Sequence, residues 1–222
     1  MCGRYVLIAD PNLIQQEFNL AGTPDIGGMR YNIAPTQTLP VITNENPAEI
    51  SYLRWGLVPS WSKDAAGGAK MNNARSETAA EKPSFRTPFR RRRCLIPASA
   101  FYEWQTRSDG KAPMFIHLKD REVFGMAGLW DVWKSPEGQE LRTFSVLTTD
   151  ANEFMQPIHD RMPVILRRED YPLWLSTDDV PVAKLQALMK GYDPKLMTAY
   201  EVSRVVNSGR VDTPECIVPL AS

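Results

Sequence analysis

RCLIPASAFYEW (93–104), PMFIHLK (113–119), VFGMAGLWDVW (123–133) and LRTFSVLTT (141–149) decide the fold class of this chain. Each run is short, rich in aliphatic, β-branched and aromatic side chains, and set off by turn-forming clusters such as DGK and SPEGQ. Strands joined by tight connections read this way. Towards the N-terminus, TLPVIT (38–43) and ISYLRWGLV (50–58) add two strand candidates around a polar turn with Asn44 and Asn46. Helical signals are fewer. Asp10-Pro11 offers a cap and a first-turn proline ahead of Leu13, Ile14 and Phe18. A short helix is expected from Glu77, with further helical stretches at 150–156, 168–175 and 180–190. The last carries Val182, Leu185, Leu188 and Met189 on one side. Residues 22–37 read as a loop bearing Arg30, Tyr31 and Asn32, and 59–75 (PSWSKDAAGGAKMNNAR) as a long irregular one. EVSRVVN and PECIVPL read as a short turn and a closing strand. The order predicts an α+β fold, one mixed domain over 1–222 built on twisted antiparallel sheets.

Composition narrows the class. In 222 residues, 43% are hydrophobic and 26 Lys+Arg balance 26 Asp+Glu, which excludes disordered and fibrous chains and any protein that coats nucleic acid by bulk charge. Cys2, Cys94 and Cys216 are odd in number and far apart, so neither a disulfide framework nor a CxxC metal site is expected. No run approaches 18 apolar residues and the N-terminus lacks a signal-like apolar region, so the expected location is the cytoplasm. GxGxxG, P-loop, HExxH and GxSxG motifs are absent. The zero net charge hides an asymmetry: residues 1–93 hold 12 basic and 8 acidic side chains, and 94–222 hold 14 and 18. Arg86, Arg90, Arg91, Arg92 and Arg93 supply most of the first excess. Arginine forks suit phosphate, although such a run also serves as a solvated or carboxylate-paired face.

Cys2 is the most informative residue. Removal of Met1 would leave a 1,2-aminothiol, with ordinary pKa values of about 8 for the amine and about 8.5 for the thiol. With an aldehyde, the amine forms a Schiff base and the thiol closes a five-membered thiazolidine. With an amide or ester, the thiolate attacks the carbonyl and the amine serves as base. His117, in the alternating run PMFIHLK, reads as an ordinary sheet residue. His159, beside Asp160 and Arg161 at a strand entry, reads as a site residue. Glu103, alone in the apolar run FYEW, suits acid/base work. Asn72, Asn73, Arg75 and Glu77 form a polar cluster after the long loop.

Eight islands in order, MCGRY, YNIAPTQ, RWGLVPSW, NNARSET, RRRCLIPASAFYEW, AGLWD, SVLTTDAN and IHDRMPVIL, make the chain resemble the SOS response-associated peptidase (SRAP) family of abasic-site processing proteins. The resemblance implies a barrel-like sheet with peripheral helices, and a covalent crosslink between Cys2 and the ring-opened aldehyde of an abasic site in single-stranded DNA. It implies that Asn73 positions the sugar or the cysteine amine, that Glu103 assists ring opening and closure, and that His159 acts as acid/base in Schiff-base formation. Glu103 and Asn73 would also support autocatalytic loss of Met1. Arg4, Arg75 and Arg161 would bind phosphates, joined by Arg86 and some of its neighbours. Trp61, with Pro35 and Leu57, would form a wedge that stacks on bases, reduced here because Ser60 stands where some members have a second tryptophan. No cofactor, metal or membrane partner is implied, a monomer is the default, and the location would be cytoplasmic, at the nucleoid during DNA damage. Two other readings stay open: an N-terminal-cysteine hydrolase of the amidotransferase type, and a non-catalytic nucleic-acid-binding module.

Overall fold

The run 93–104, continuous in sequence, breaks at Ser99 and feeds two different sheets. Ser99 leaves the first sheet by donating its N–H to Val6 O (2.7 Å), while its hydroxyl accepts the Ile8 N–H (3.1 Å). A computed structural model describes residues 2–220. Along the chain come β1 (Tyr5–Leu7), α1 (Pro11–Phe18), β2 (Arg30–Ile33), β3 (Thr38–Thr43), β4 (Asn46–Trp55) and β5 (Asn73–Arg75). Then follow α2 (Ser76–Ala79), α3 (Arg86–Arg91), β6 (Arg93–Ala98), β7 (Ala100–Arg107), β8 (Gly110–Leu118) and β9 (Phe124–Lys134). The chain continues with β10 (Glu140–Asp150), β11 (Arg161–Pro163), α4 (Tyr171–Trp174), α5 (Val182–Ala187) and β12 (Met197–Glu201).

One sheet closes on itself. β10 pairs in parallel with β4 and antiparallel with β9, and the antiparallel path β9–β6–β3–β4 completes the circuit. Inside it, Trp55 stacks on Phe144 (ring centroids 6.2 Å apart) and takes the edge of Tyr5 (5.3 Å). The second half of β10 lies beyond the barrel. There β5 pairs with Val146–Thr148 and β11 with Thr148–Asp150.

The second sheet runs β12-β8-β7-β1-β2. Alternation gives it two apolar faces. Tyr5, Leu7, Phe101 and Ile116 join the main core with the barrel, while Val6, Tyr102 and Phe115 are covered by the chain after residue 201. That C-terminal strap explains a strand the sequence concealed. β2 (RYNI) shows little apolar alternation, yet Asp212 accepts the N–H groups of Tyr31 (2.6 Å) and Asn32 (2.8 Å) and the Arg30 Nε–H (2.5 Å). Long-range side-chain acceptors thus replace a pattern that local reading requires.

Other expectations are corrected. The helix expected over 150–156 is absent: residues 153–158 form successive turns, with the Asn152 side-chain amide accepting Met155 N–H and donating to Tyr192 O. The closing strand is a 3-10 turn at Pro214–Ile217 with a single bridge from Val202 to Pro219. Leu13 is exposed, leaving Ile14 and Phe18 as the buried contacts of α1. The arginine field at 86–93 shrinks. Arg93 is buried and donates to the carbonyls of Phe89, Arg90, Trp174 and Ser176, tying α3 to the segment around α4. Arg92 is ion-paired with buried Asp131. Arg86, Arg90 and Arg91 remain exposed.

The expected strand 50–58 ends at Trp55 because Gly56 turns the chain at φ +124°. A Cβ on Gly56 would lie 2.7 Å from the Gly68 carbonyl oxygen, so the two backbones touch and fold the long loop back on its own start. Leu57 N–H then bonds Met71 O (3.1 Å) and Trp55 Nε1 bonds Asn72 O (2.8 Å), which delivers the chain to β5. Gly56→Ala combines a backbone clash with a disfavoured φ and is expected to cost about 2 kcal/mol, lowering Tm by roughly 4–8 °C in thermal unfolding.

Candidate active site

Cys2 lies just before β1, and Tyr102 N–H bonds Arg4 O (3.0 Å), so the N-terminal segment runs antiparallel to β7 in the direction of Glu103. The Asn73 amide nitrogen donates to Cys2 O at 2.8 Å, fixing the segment from the β5 side. Cys2 is completely buried. Burial pushes its thiol well above the ordinary range, and the Glu103 carboxylate adds to the effect. Burial therefore favours the protonated thiol over the thiolate in this environment.

Glu103 follows Phe101 on the inward face of β7, with a side chain 3% exposed. Burial raises its carboxyl pKa, and the nearby His159 opposes that rise. His159 Nε2 lies 3.8 Å from Glu103 Oε2. On its other edge, Nδ1 accepts the Arg161 backbone N–H at 3.0 Å. The four residues expected to carry chemistry, Cys2, Asn73, Glu103 and His159, are thus brought together from β5, β7, the N-terminal segment and the approach to β11. His117 lies elsewhere, packed with Phe115 and Tyr200 on the second sheet.

Several buried polar atoms around this constellation lack a hydrogen-bond partner among the described residues: Tyr5 Oη, Asn73 Oδ1, Thr148 Oγ1 and Arg161 Nε. Such groups are costly unless something meets them. Their placement on β1, β5, β10 and β11 makes the surroundings of Cys2 a candidate ligand site. Thr148 escaped the sequence reading because a threonine in LRTFSVLTT registers only as strand propensity. It stands opposite Arg75 of β5 and Pro163 of β11.

The expected DNA-contacting residues separate into kinds. Arg75 is exposed and lines a groove of about 680 Å³ with Glu77, Thr78, Asp150, His159, Asp160 and Arg161. Arg161, only 11% exposed, forms a fork with Glu77 (2.8 and 2.9 Å) and also donates to Asp150 (2.5 Å) and Thr148 O (2.7 Å). Arg4 is held by Asn32 Oδ1 (2.8 Å) and the strap carbonyls of Val206 (2.7 Å) and Asn207 (3.2 Å). Arg86 is exposed on α3. Trp61 is 64% exposed and Pro35 half-buried, whereas Leu57 is fully buried and cannot stack on a base.

Residues 1–209 match the family model described as SOS response associated peptidase (SRAP). The chain belongs to the SRAP family. It is 45% identical to the Bacillus subtilis abasic site processing protein YoqW over 98% of this chain and 99% of that one. It is 35% identical to the chicken (Gallus gallus) abasic site processing protein HMCES over 86% of this chain and 66% of that protein. A Bacteroides thetaiotaomicron crystal structure superposes with a TM-score of 0.89 at 29% identity, covering 99% of this chain and all of that one. The α+β, barrel-like architecture with peripheral helices is thus the SRAP fold.

A carboxyl whose pKa is raised on folding contributes stability that is full at low pH and lost as pH rises through the folded value. Glu103→Gln is accordingly expected to raise Tm at neutral pH by about 2–4 °C, the response to roughly 1 kcal/mol in a chain of this size. The gain should vanish on acidification as the wild-type carboxyl protonates, which paired melting curves at pH 7 and pH 4 would show.

Proposed function

We propose that this protein captures abasic sites in single-stranded DNA as a covalent thiazolidine on Cys2. The observation that carries the reading is the convergence of a buried Cys2 with Asn73, Glu103 and His159. The chemistry requires a free α-amine. Met1, whose removal would expose it, lies outside the described residues, and Glu103 and Asn73 are the groups proposed to assist that removal.

In the proposed course the α-amine nitrogen adds to the C1′ aldehyde, whose oxygen becomes a hydroxyl. That hydroxyl leaves as water with a proton from a neighbouring acid, giving an imine. The Cys2 sulfur then adds to C1′ and the thiol proton ends on the ring nitrogen, so the net loss is one water. The protonation pattern supports this order. A thiol held neutral by burial leaves the first attack to the amine. Glu103, with its raised pKa, is a better base for the thiol at closure and a better acid for the departing hydroxyl than an ordinary carboxylate. His159 faces the same carboxyl and would share the proton traffic. Asn73 would orient the N-terminal residue, its free Oδ1 facing amine or sugar. Ring closure consumes the imine before strand scission can compete.

Arg75, exposed in the groove beside His159, would offer its cation to a phosphate, and Arg86 would extend the basic surface along α3. Arg161 would reach a phosphate only by giving up part of its carboxylate contacts, and Arg4 serves through its backbone position rather than as an open cation. Trp61 would stack on a base, with Pro35 beside it in the proposed wedge.

Mixing the protein with a single-stranded oligonucleotide carrying one abasic site is expected to give a species that survives denaturing electrophoresis. Cys2→Ala should abolish it while leaving most non-covalent binding. Glutamine hydrolysis without such a species would instead favour the amidotransferase-type reading, and intact binding with no covalent product from wild type would favour a non-catalytic module. Non-covalent affinity should fall with salt, and Arg75→Ala should weaken binding and flatten the slope of log affinity against log salt by about one unit. A slope left unchanged by the substitution would remove Arg75 from the phosphate contacts.

A further inference from the structure

Residues 56–59 are buried and lead to two exposed ones, Ser60 and Trp61. The chain then turns back, with Ser62 N–H donated to Pro59 O (2.9 Å). Three side chains of the barrel strands fix this turn. On the way in, Thr143 Oγ1 of β10 accepts Val58 N–H (2.9 Å). At the tip, Asp131 Oδ2 of β9 accepts Ser60 N–H (2.9 Å). On the way out, Trp133 donates its indole N–H to Ser62 O (2.8 Å). Thr143 and Asp131 stand opposite one another in the β9–β10 register, and strand alternation puts Trp133 on the same face as Asp131.

Holding the turn in this way is demanding. The Asp131 side chain is only 4% exposed, and a buried carboxylate is tolerated when its oxygens are met. Oδ1 takes the Arg92 guanidinium and the Val132 N–H (2.8 Å), and Oδ2 takes the backbone of the turn. What the turn displays is Trp61, 64% exposed, whose indole has no hydrogen bond or ring contact among the described residues. All three anchors grip main-chain atoms, so the backbone is fixed while the ring is left for a partner outside the chain.

We propose that Asp131 and Trp133 are positioning residues for nucleic-acid binding, which fix the turn 59–62 so that Trp61 meets a base already in place. The role rests on the reading of Trp61 as a base-stacking residue, and it adds two buried residues that do not themselves touch the nucleic acid. A loose turn would have to be ordered at each encounter, and less of the stacking free energy would reach the affinity.

Binding is measured with an undamaged single-stranded oligonucleotide at fixed salt, so that no crosslink forms. Trp61→Ala is expected to weaken it about tenfold. Trp133→Phe keeps a ring in place but loses the N–H, and Asp131→Asn leaves one oxygen for donors that now use two. Each should weaken binding roughly fourfold. In a Trp61→Ala background the same substitutions should change affinity by less than about 1.5-fold, because their effect passes through Trp61; a merely structural role would give losses that multiply. Amide hydrogen exchange at Ser60 and Ser62 should quicken in both variants while exchange in the barrel strands stays as in wild type. Multiplying losses overturn the proposal, as does unchanged affinity in Trp133→Phe. Should Asp131→Asn fail to fold, Trp133→Phe decides alone. Wild-type affinity in Trp61→Ala would overturn the stacking reading and the proposal with it, an outcome told apart from the others because that substitution alone is then silent.

Discussion

A β-strand has two edges, and the site depends on how β10 uses both of them twice. Its first half is consumed by the barrel, with β9 on one edge and β4 on the other. Its second half leaves the closed circuit with both edges open, and unpaired backbone groups there must be met. β5 takes one edge and β11 the other. Two three-residue strands with little strand propensity of their own are thereby fixed, and they carry Asn73, Arg75 and Arg161. Through Asn73 the N-terminal segment is held, and through the Arg161 backbone His159 is oriented.

Electrostatics at this junction run against stability. A carboxyl is buried on an apolar strand, desolvation favours the neutral thiol, and several polar atoms are left without hydrogen-bond partners among the described residues. The large apolar core under both sheets offsets these costs. In the proposed chemistry, a carboxyl and a thiol both held by burial towards their protonated forms would have the amine act before the sulfur. Water exclusion, which makes the ionised groups unfavourable, also makes each proton placement consequential.

The basic residues show how little a charge count says about availability. Arg93 donates to four backbone carbonyls, lies over the Trp174 ring and works as a tie between α3 and the α4 region. Arg92 is neutralised by a buried aspartate, and Arg161 sits among carboxylates. Arg75 and Arg86 reach solvent. The neutral total of the composition is thus reproduced locally, cation by cation, except on a few exposed positions where a polyanion could be met.

Period-two apolar patterning was enough to find β3, β8, β9 and β10 and the α+β class, because those strands bury faces whose side chains state their own location. The motif islands likewise determined the family and nominated Cys2, Asn73, Glu103 and His159, since chemistry restricts residue type. Tertiary structure alone decided what depends on distant partners. β2 and β12 are polar or mixed runs held by the strap and the sheet edge. The 93–104 run divides at Ser99 because Val6 and Ile8 capture that residue. The ionisation of Cys2 and Glu103, and the choice of which arginines remain open, follow from burial and from neighbours tens of residues away. Local sequence encodes what a segment prefers, and only the packed fold sets the dielectric and the partners that those preferences meet.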